Sequence, residues 1–168
     1  MLTAFDLFGF RDSEVLSMIR NVEDAADLSQ LNLMRQEVEK VLRVLIPGGA
    51  MTSQACKIVS EFNDKVVKRV IQFAEDASGS PPCTFDWLGL GSEGRREQTL
   101  FTDQDNAIIF EDPSSDRSNE YFMRLSERIV QDLNECGIPL CKGNVMATNP
   151  KFFGSLSQWK ERMGSWVK

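Results

Sequence analysis

Apolar residues return every three or four positions from Asp12 to Ile46, with Leu31, Met34, Val38, Val41 and Leu45 on one face. This spacing predicts a helix, which Pro47-Gly48-Gly49 stops. Thr52 or Ser53 can cap a second helix whose stripe reads Ala55, Val59, Phe62, Val66, Val70 and Phe73. The two read as an antiparallel helical pair, with stripes that serve packing rather than chemistry. Ser78-Gly79-Ser80-Pro81-Pro82 is the clearest boundary in the chain.

Beyond that loop the period changes. Phe85 to Leu90 and Ala107 to Phe110 read as buried strands separated by a Gly-rich polar segment, and residues 111–117 as a turn-rich loop. Asn119 to Cys136 reads as a helix closed by Gly137, with Phe122, Leu125, Ile129 and Leu133 on its apolar face. Ile138 to Ala147 reads as a third extended segment. Asn149-Pro150 predicts the start of a last helix, carrying Phe152, Leu156, Trp159, Met163 and Trp166. That tryptophan-bearing stripe needs cover, from the helical pair or from a partner.

The histidine count, zero, changes the picture most. It excludes Ser-His-Asp and Cys-His hydrolysis, His-ligated zinc and histidine phosphorelay, leaving carboxylates, hydroxyls, amines, thiols and bound ions. Cys56, Cys83, Cys136 and Cys141 include no C-x-x-C, so reduced thiols are expected rather than a zinc ribbon or redox dithiol. With 168 residues, 42% of them hydrophobic, the chain can bury roughly two thirds of its unfolded surface without staples. The formal net charge is −6, and residues 81–150 are its acidic part, so no nucleic-acid footprint is expected. No stretch approaches the ~20 apolar residues of a membrane span. Met1 to Phe10 has no basic n-region and carries Asp6, which argues against a signal peptide. A cytoplasmic protein is the expectation.

Candidate chemistry is concentrated between Trp87 and Phe110. A buried strand ends in Gly91-Ser92 and enters a helical turn. Gly91 lets a ligand approach the backbone, while the Ser92 hydroxyl and the opening N–H groups can hold phosphate oxygens. Arg95 and Arg96 add cationic forks suited to phosphate. The segment is neither a Walker A loop nor G-x-G-x-x-G, and alone it reads equally well as a tight turn. Asp103 and Asp105 then stand at i and i+2 at the mouth of an apolar strand, on one face. Two carboxylates about 5 Å apart repel by roughly 3 kcal/mol at an effective dielectric near 20, which a divalent cation relieves. The pair therefore points to Mg²⁺ or Mn²⁺ completed by substrate phosphates. A solvated turn with two splayed acids is the alternative.

The order Gly91-Ser92-Glu93-Gly94-Arg95, Glu97-Gln98-Thr99 and Thr102-Asp103-Gln104-Asp105-Asn106 resembles the active-site signature of the nucleotidyltransferase fold, as in PII-protein uridylyltransferases and glutamine synthetase adenylyltransferases. It looks closer still to the nucleotidyltransferases labelled DUF294. The Asp27-Leu28 helix, Phe62-Asn63-Asp64 and Cys141-x-Gly143-x-Val145-Met146-Ala147-x-Asn149-Pro150 also look like that group. The resemblance implies an α+β chain: an N-terminal helical region (1–80), a small mixed-sheet core (81–148) and the start of a helical, substrate-binding-like region (149–168). It implies a catalytic, metal-holding pair in Asp103 and Asp105, nucleotide contacts at Gly91, Ser92, Gly94, Arg95 and Arg96, and a nucleoside triphosphate substrate. The acceptor would be an unnamed protein or small molecule. Related proteins carry CBS or cyclic-nucleotide-binding domains and act in bacterial signalling, and a homodimer stays open. One departure stands out: active members use a third carboxylate on a later strand, yet Ile138 to Thr148 holds no Asp or Glu, only Asn144 as a polar ligand. A nucleotide- and metal-binding module with weak turnover is the alternative reading.

Overall fold

Where the stripes predict helices, most of them form, and their apolar faces meet in one core. A computed structural model describes residues 17–45, 52–112 and 117–166. Helix α1 spans Leu28–Leu45, α2 Thr52–Ser78, strand β1 Phe85–Gly89, the single turn α3 Gly91–Gly94, β2 Asn106–Phe110, α4 Arg117–Glu135, β3 Phe153–Ser155 and α5 Leu156–Trp166. The architecture is α+β, with the N-terminal helices ahead of a small mixed sheet and a helix at the C-terminal end.

The first expected helix is broken. Residues 17–21 are helical, Val22–Asp24 is a 3-10 turn, and α1 begins afresh at Leu28. Burial causes the break: Val22 and Ala25 are fully enclosed, and Arg69 of α2 donates from Nε and Nη2 to the Ala25 carbonyl at 3.0 and 2.7 Å. Asp27 then caps the restart, its Oδ1 accepting from the Gln30 N–H at 2.8 Å, while Gln30 Oε1 accepts from the Ala26 N–H. The expected Pro47-Gly48-Gly49 stop, the Asp12–Leu16 start, and the Thr52 and Ser53 side chains lie outside the described residues.

Along α2, Ala55, Val59, Phe62, Val66, Val70 and Ala74 form the buried line. It meets chiefly α4, through Phe122, Leu125, Ile129 and Leu133, and α1 to a lesser extent. The expected pair of helices is thus a three-helix layer sharing one cluster with the sheet.

The sheet order is β1-β2-β3. β1 runs antiparallel to β2, with Trp87 opposite Ile108 and Gly89 opposite Asn106, and β3 runs parallel, with Ile108 opposite Phe153. Paired on both sides, β2 is buried almost throughout, which accounts for its unbroken apolar run. Phe110 stacks on Phe122 of α4 with centroids 4.5 Å apart.

Two expectations fail downstream. Ile138 to Ala147 is not the third strand; after Gly137 (φ +88) ends α4, the segment turns at Cys141–Asn144 and forms no strand ladder. Gln104 N–H donates to the Pro139 carbonyl at 2.9 Å and Asn106 N–H to that of Val145 at 3.0 Å. The parallel strand is Phe153–Ser155, inside the stretch read as helix, and α5 starts at Leu156 rather than at Asn149-Pro150. Asn149 instead pins a local turn, its Oδ1 accepting from the Lys151 N–H. The cap of α5 is remote in sequence: Asp112 accepts from Ser155 Oγ at 2.7 Å and from the N–H and Oγ of Ser157 at 3.0 and 2.6 Å. The cover for Trp159 comes from β2, whose Ile108 carbonyl takes its indole N–H at 3.0 Å. Leu156 and Met163 are exposed, and the Trp166 side chain lies outside the described residues.

Candidate functional site

The end of β1 folds back on itself with no room for side chains. A Cβ on Gly94 would stand 2.7 Å from the Gly89 carbonyl oxygen, and one on Gly89 would stand 2.7 Å from Glu93 Cγ. Gly91 has φ +53, in the left-handed region that glycine enters at little cost. The Leu90 N–H donates to the Asp105 carbonyl at 2.8 Å, carrying the β1–β2 pairing one residue further. That bond sets the Asp105 side chain against Gly91, where a Cβ would lie 2.5 Å from Oδ2. The two halves of the motif thereby meet.

Buried amides position the loop between them. Gln98, Gln104 and Asn106 are each 1% exposed. Gln98 takes the Asn63 Nδ2 on its Oε1 at 3.3 Å, tying the loop to α2. Gln104 Nε2 donates to the carbonyls of Val130 and Ile138 at 3.0 and 2.9 Å, and Asn106 Oδ1 accepts from the Ala147 N–H at 2.8 Å. Since Thr102, Gln104 and Asn106 face inward, the alternating Asp103 and Asp105 turn outward, Asp103 exposed and Asp105 half-buried. For Gln104 and Asn106 the signal in the sequence is a D-Q-D-N run entering an apolar strand, where inward polar residues must find partners.

Both arginines carry partners of their own. Arg95 Nε meets Glu97 Oε2 at 2.8 Å and Arg96 Nη2 meets Asp64 Oδ2 of α2 at 2.7 Å, all four side chains partly or largely exposed. Ser92 is half-buried at the opening of α3, where N–H groups have no preceding intrahelical acceptor.

Glu93 is the acid that sequence did not single out. Burial, then the neighbouring carboxylates of Asp64 and Asp105, raises its pKa to about 7. It lines a cavity of about 310 Å³ between α2, β1 and α3, together with Asp64, Trp87 and Arg96. The Cys141 thiol is pushed up chiefly by burial, with the nearby Asp105 raising it further. Asp103 lines a different opening, a groove of about 550 Å³ shared with α1 and the 137–142 turn.

Whether these residues suit a divalent cation follows from their chemistry. Glu93 and Asp105 stand close enough to interact, and carboxylate oxygens are the donors that hard cations take. Among the described residues no three His, Cys, Asp or Glu side chains gather into a protein-only cage. Mg²⁺ needs only one or two protein carboxylates, its shell being filled by waters and substrate phosphates. No described helix is long and apolar enough to cross a membrane.

A family model described as "Putative nucleotidyltransferase DUF294" matches residues 36–168. No curated protein and no solved structure matches the chain.

Proposed function

Since the chain belongs to the DUF294 nucleotidyltransferase family, we propose that it moves a nucleoside monophosphate from a nucleoside triphosphate to a hydroxyl of a protein or small molecule. The observation that carries this reading is the Asp105 carboxylate held against Gly91 at the start of α3. It brings one acid of the pair, Asp105, to the glycine turn, while Asp103 faces the neighbouring groove.

In this reading Gly91 and Ser92 receive phosphate oxygens on backbone N–H and hydroxyl groups, and Gly94 keeps the turn tight against Gly89. Arg95 and Arg96 exchange Glu97 and Asp64 for the β- and γ-phosphates, a gain for forks now in solvent-screened pairs. Asp103 and Asp105 would hold Mg²⁺ or Mn²⁺, which when bound offsets phosphate charge. Glu93, its pKa raised to about 7 chiefly by burial, lines the separate cavity beside Asp64 and Arg96. The remaining work is alignment of acceptor and α-phosphorus. A setting in bacterial signalling, beside CBS or cyclic-nucleotide-binding domains, rests on the family resemblance.

One observation favours a second reading, a nucleotide- and metal-binding regulatory module. Neither Ile138 to Thr148 nor the parallel strand Phe153–Ser155 contains an Asp or Glu. Incubating the 168-residue chain with Mg²⁺ and labelled nucleoside triphosphates separates the two. Pyrophosphate release supports transfer, saturable binding without release supports the module, and absence of both sinks both.

A further inference from the structure

The groove beside Asp103 lies between α1, residues 100–103 and the turn after α4. Two cations line it, Arg35 of α1 and Lys142, together with the carboxylates of Glu39 and Asp103. Arg35 is attracted by Glu39, one turn along α1. Lys142 is exposed, as a lone ammonium normally is.

Arg35 is half-buried beneath Gly137, where a Cβ would come within 3.2 Å of its Nε. The glycine thus leaves room for the guanidinium as well as ending α4. Burial lowers the pKa of Arg35, offset in part by Glu39 and Cys136. Glu39, one turn along α1, is engaged by Arg43 at 2.6 Å. A guanidinium partly shielded from water, whose nearest carboxylate is shared with Arg43, carries a cost that an anionic ligand lowers. Phe101 adds an apolar wall: it is 76% exposed, with the Arg43 guanidinium 4.9 Å from its ring centroid.

We propose that this groove receives the acceptor, and that the acceptor carries a phosphate or carboxylate held by Arg35 and Lys142, its carbon frame on Phe101 and its hydroxyl toward Asp103. The inference rests on the nucleotidyl-transfer reading for the role of Asp103 and adds to it the chemical class of the acceptor.

The test uses the 168-residue chain without nucleotide or metal. Inorganic phosphate and malonate are titrated in separate arms while NMR follows Arg35 Nε–H, the Gly137 amide and the amides of residues 91–96. Saturable shifts at Arg35 and Gly137 are expected, weakened about tenfold or more in Arg35→Gln. The arm that saturates at lower concentration identifies the anion as phosphate or carboxylate. Lys142→Gln, at an exposed position that leaves α1 untouched, is expected to weaken the same shifts. Shifts confined to residues 91–96, or no saturable shift in either arm, overturn the proposal. Failure of the nucleotide reading shows separately, as Mg²⁺-nucleoside triphosphate that moves no signal at Gly91 and Ser92.

Discussion

The carboxylate of Asp105 fills the space that any side chain at position 91 would need, with Oδ2 only 2.5 Å from where a Cβ on Gly91 would be. Two residues fourteen positions apart in sequence are complementary in shape, one by lacking a side chain and the other by presenting one. The contact is held by backbone, since the Leu90 N–H is bonded to the Asp105 carbonyl.

Gly91→Ala is therefore expected to act twice. The left-handed backbone at φ +53 costs an alanine about 1–2 kcal/mol, and the added methyl displaces Asp105. Urea unfolding should show a cooperative transition at lower midpoint, and calorimetry should show Mg²⁺-dependent nucleotide affinity falling further than stability explains. Wild-type affinity in a destabilised variant would remove this contact from the site.

Glu93 links folding to pH. Its folded pKa, about 7, lies above the ordinary 4.5, so between those values the native state binds the proton more tightly than the unfolded chain. Stability contributed by the neutral form is fully present below 4.5 and is lost as pH rises towards and through 7. The span corresponds to about 3 kcal/mol. Glu93→Gln should flatten that part of the profile, and unfolding curves collected from pH 5 to pH 8 on both proteins check it. Parallel profiles would mean that Glu93 ionises freely.

Asp103→Asn and Asp105→Asn separate the two carboxylates. Each is expected to reduce the enhancement of nucleotide binding by Mg²⁺, because metal and triphosphate neutralise each other's charge. The larger loss is expected for Asp105, which lies at Gly91, whereas Asp103 faces the groove beside α1. Isothermal titration with and without Mg²⁺ gives the comparison. Unchanged Mg²⁺ dependence in both variants would end the metal assignment.

Asp112 stabilises the start of α5, and hydrogen bonds from the Ser157 and Ser155 side chains and the Ser157 N–H hold its carboxyl below the usual range. That contribution is present above pH 3.8 and lost as pH falls through the folded value. Asp112→Ala should speed hydrogen exchange at the Ser157 amide while leaving α2 amides protected. Unchanged exchange at Ser157 would show that α5 is held by Gln158, Trp159 and Arg162 without Asp112.

Periodicity was enough for elements whose partners are supplied by their own stripes. α2, α4 and the edges of β1 and β2 follow from apolar spacing, and the motif halves at Gly91-Ser92 and Asp103-x-Asp105 were readable as local chemistry. Reading failed wherever a distant group set the outcome. The helix expected from Asp12 breaks because Arg69 takes the Ala25 carbonyl, and the final helix starts late because Asp112 caps Ser157. Phe153 reads as one step of a helical stripe and is a strand residue because β2 offers it an open parallel edge.

Sequence by itself determined the residue types: no imidazole, two carboxylates two positions apart, glycines where backbone must approach backbone. Only the tertiary structure decided their neighbours. Residues close in the fold but farther apart in the chain brought Asp64 and Asp105 to Glu93 and gave Arg96 the carboxylate of Asp64. The physical reason is that electrostatic energy depends on distance and burial in space. A local spacing rule encodes neither for residues thirty or more positions apart.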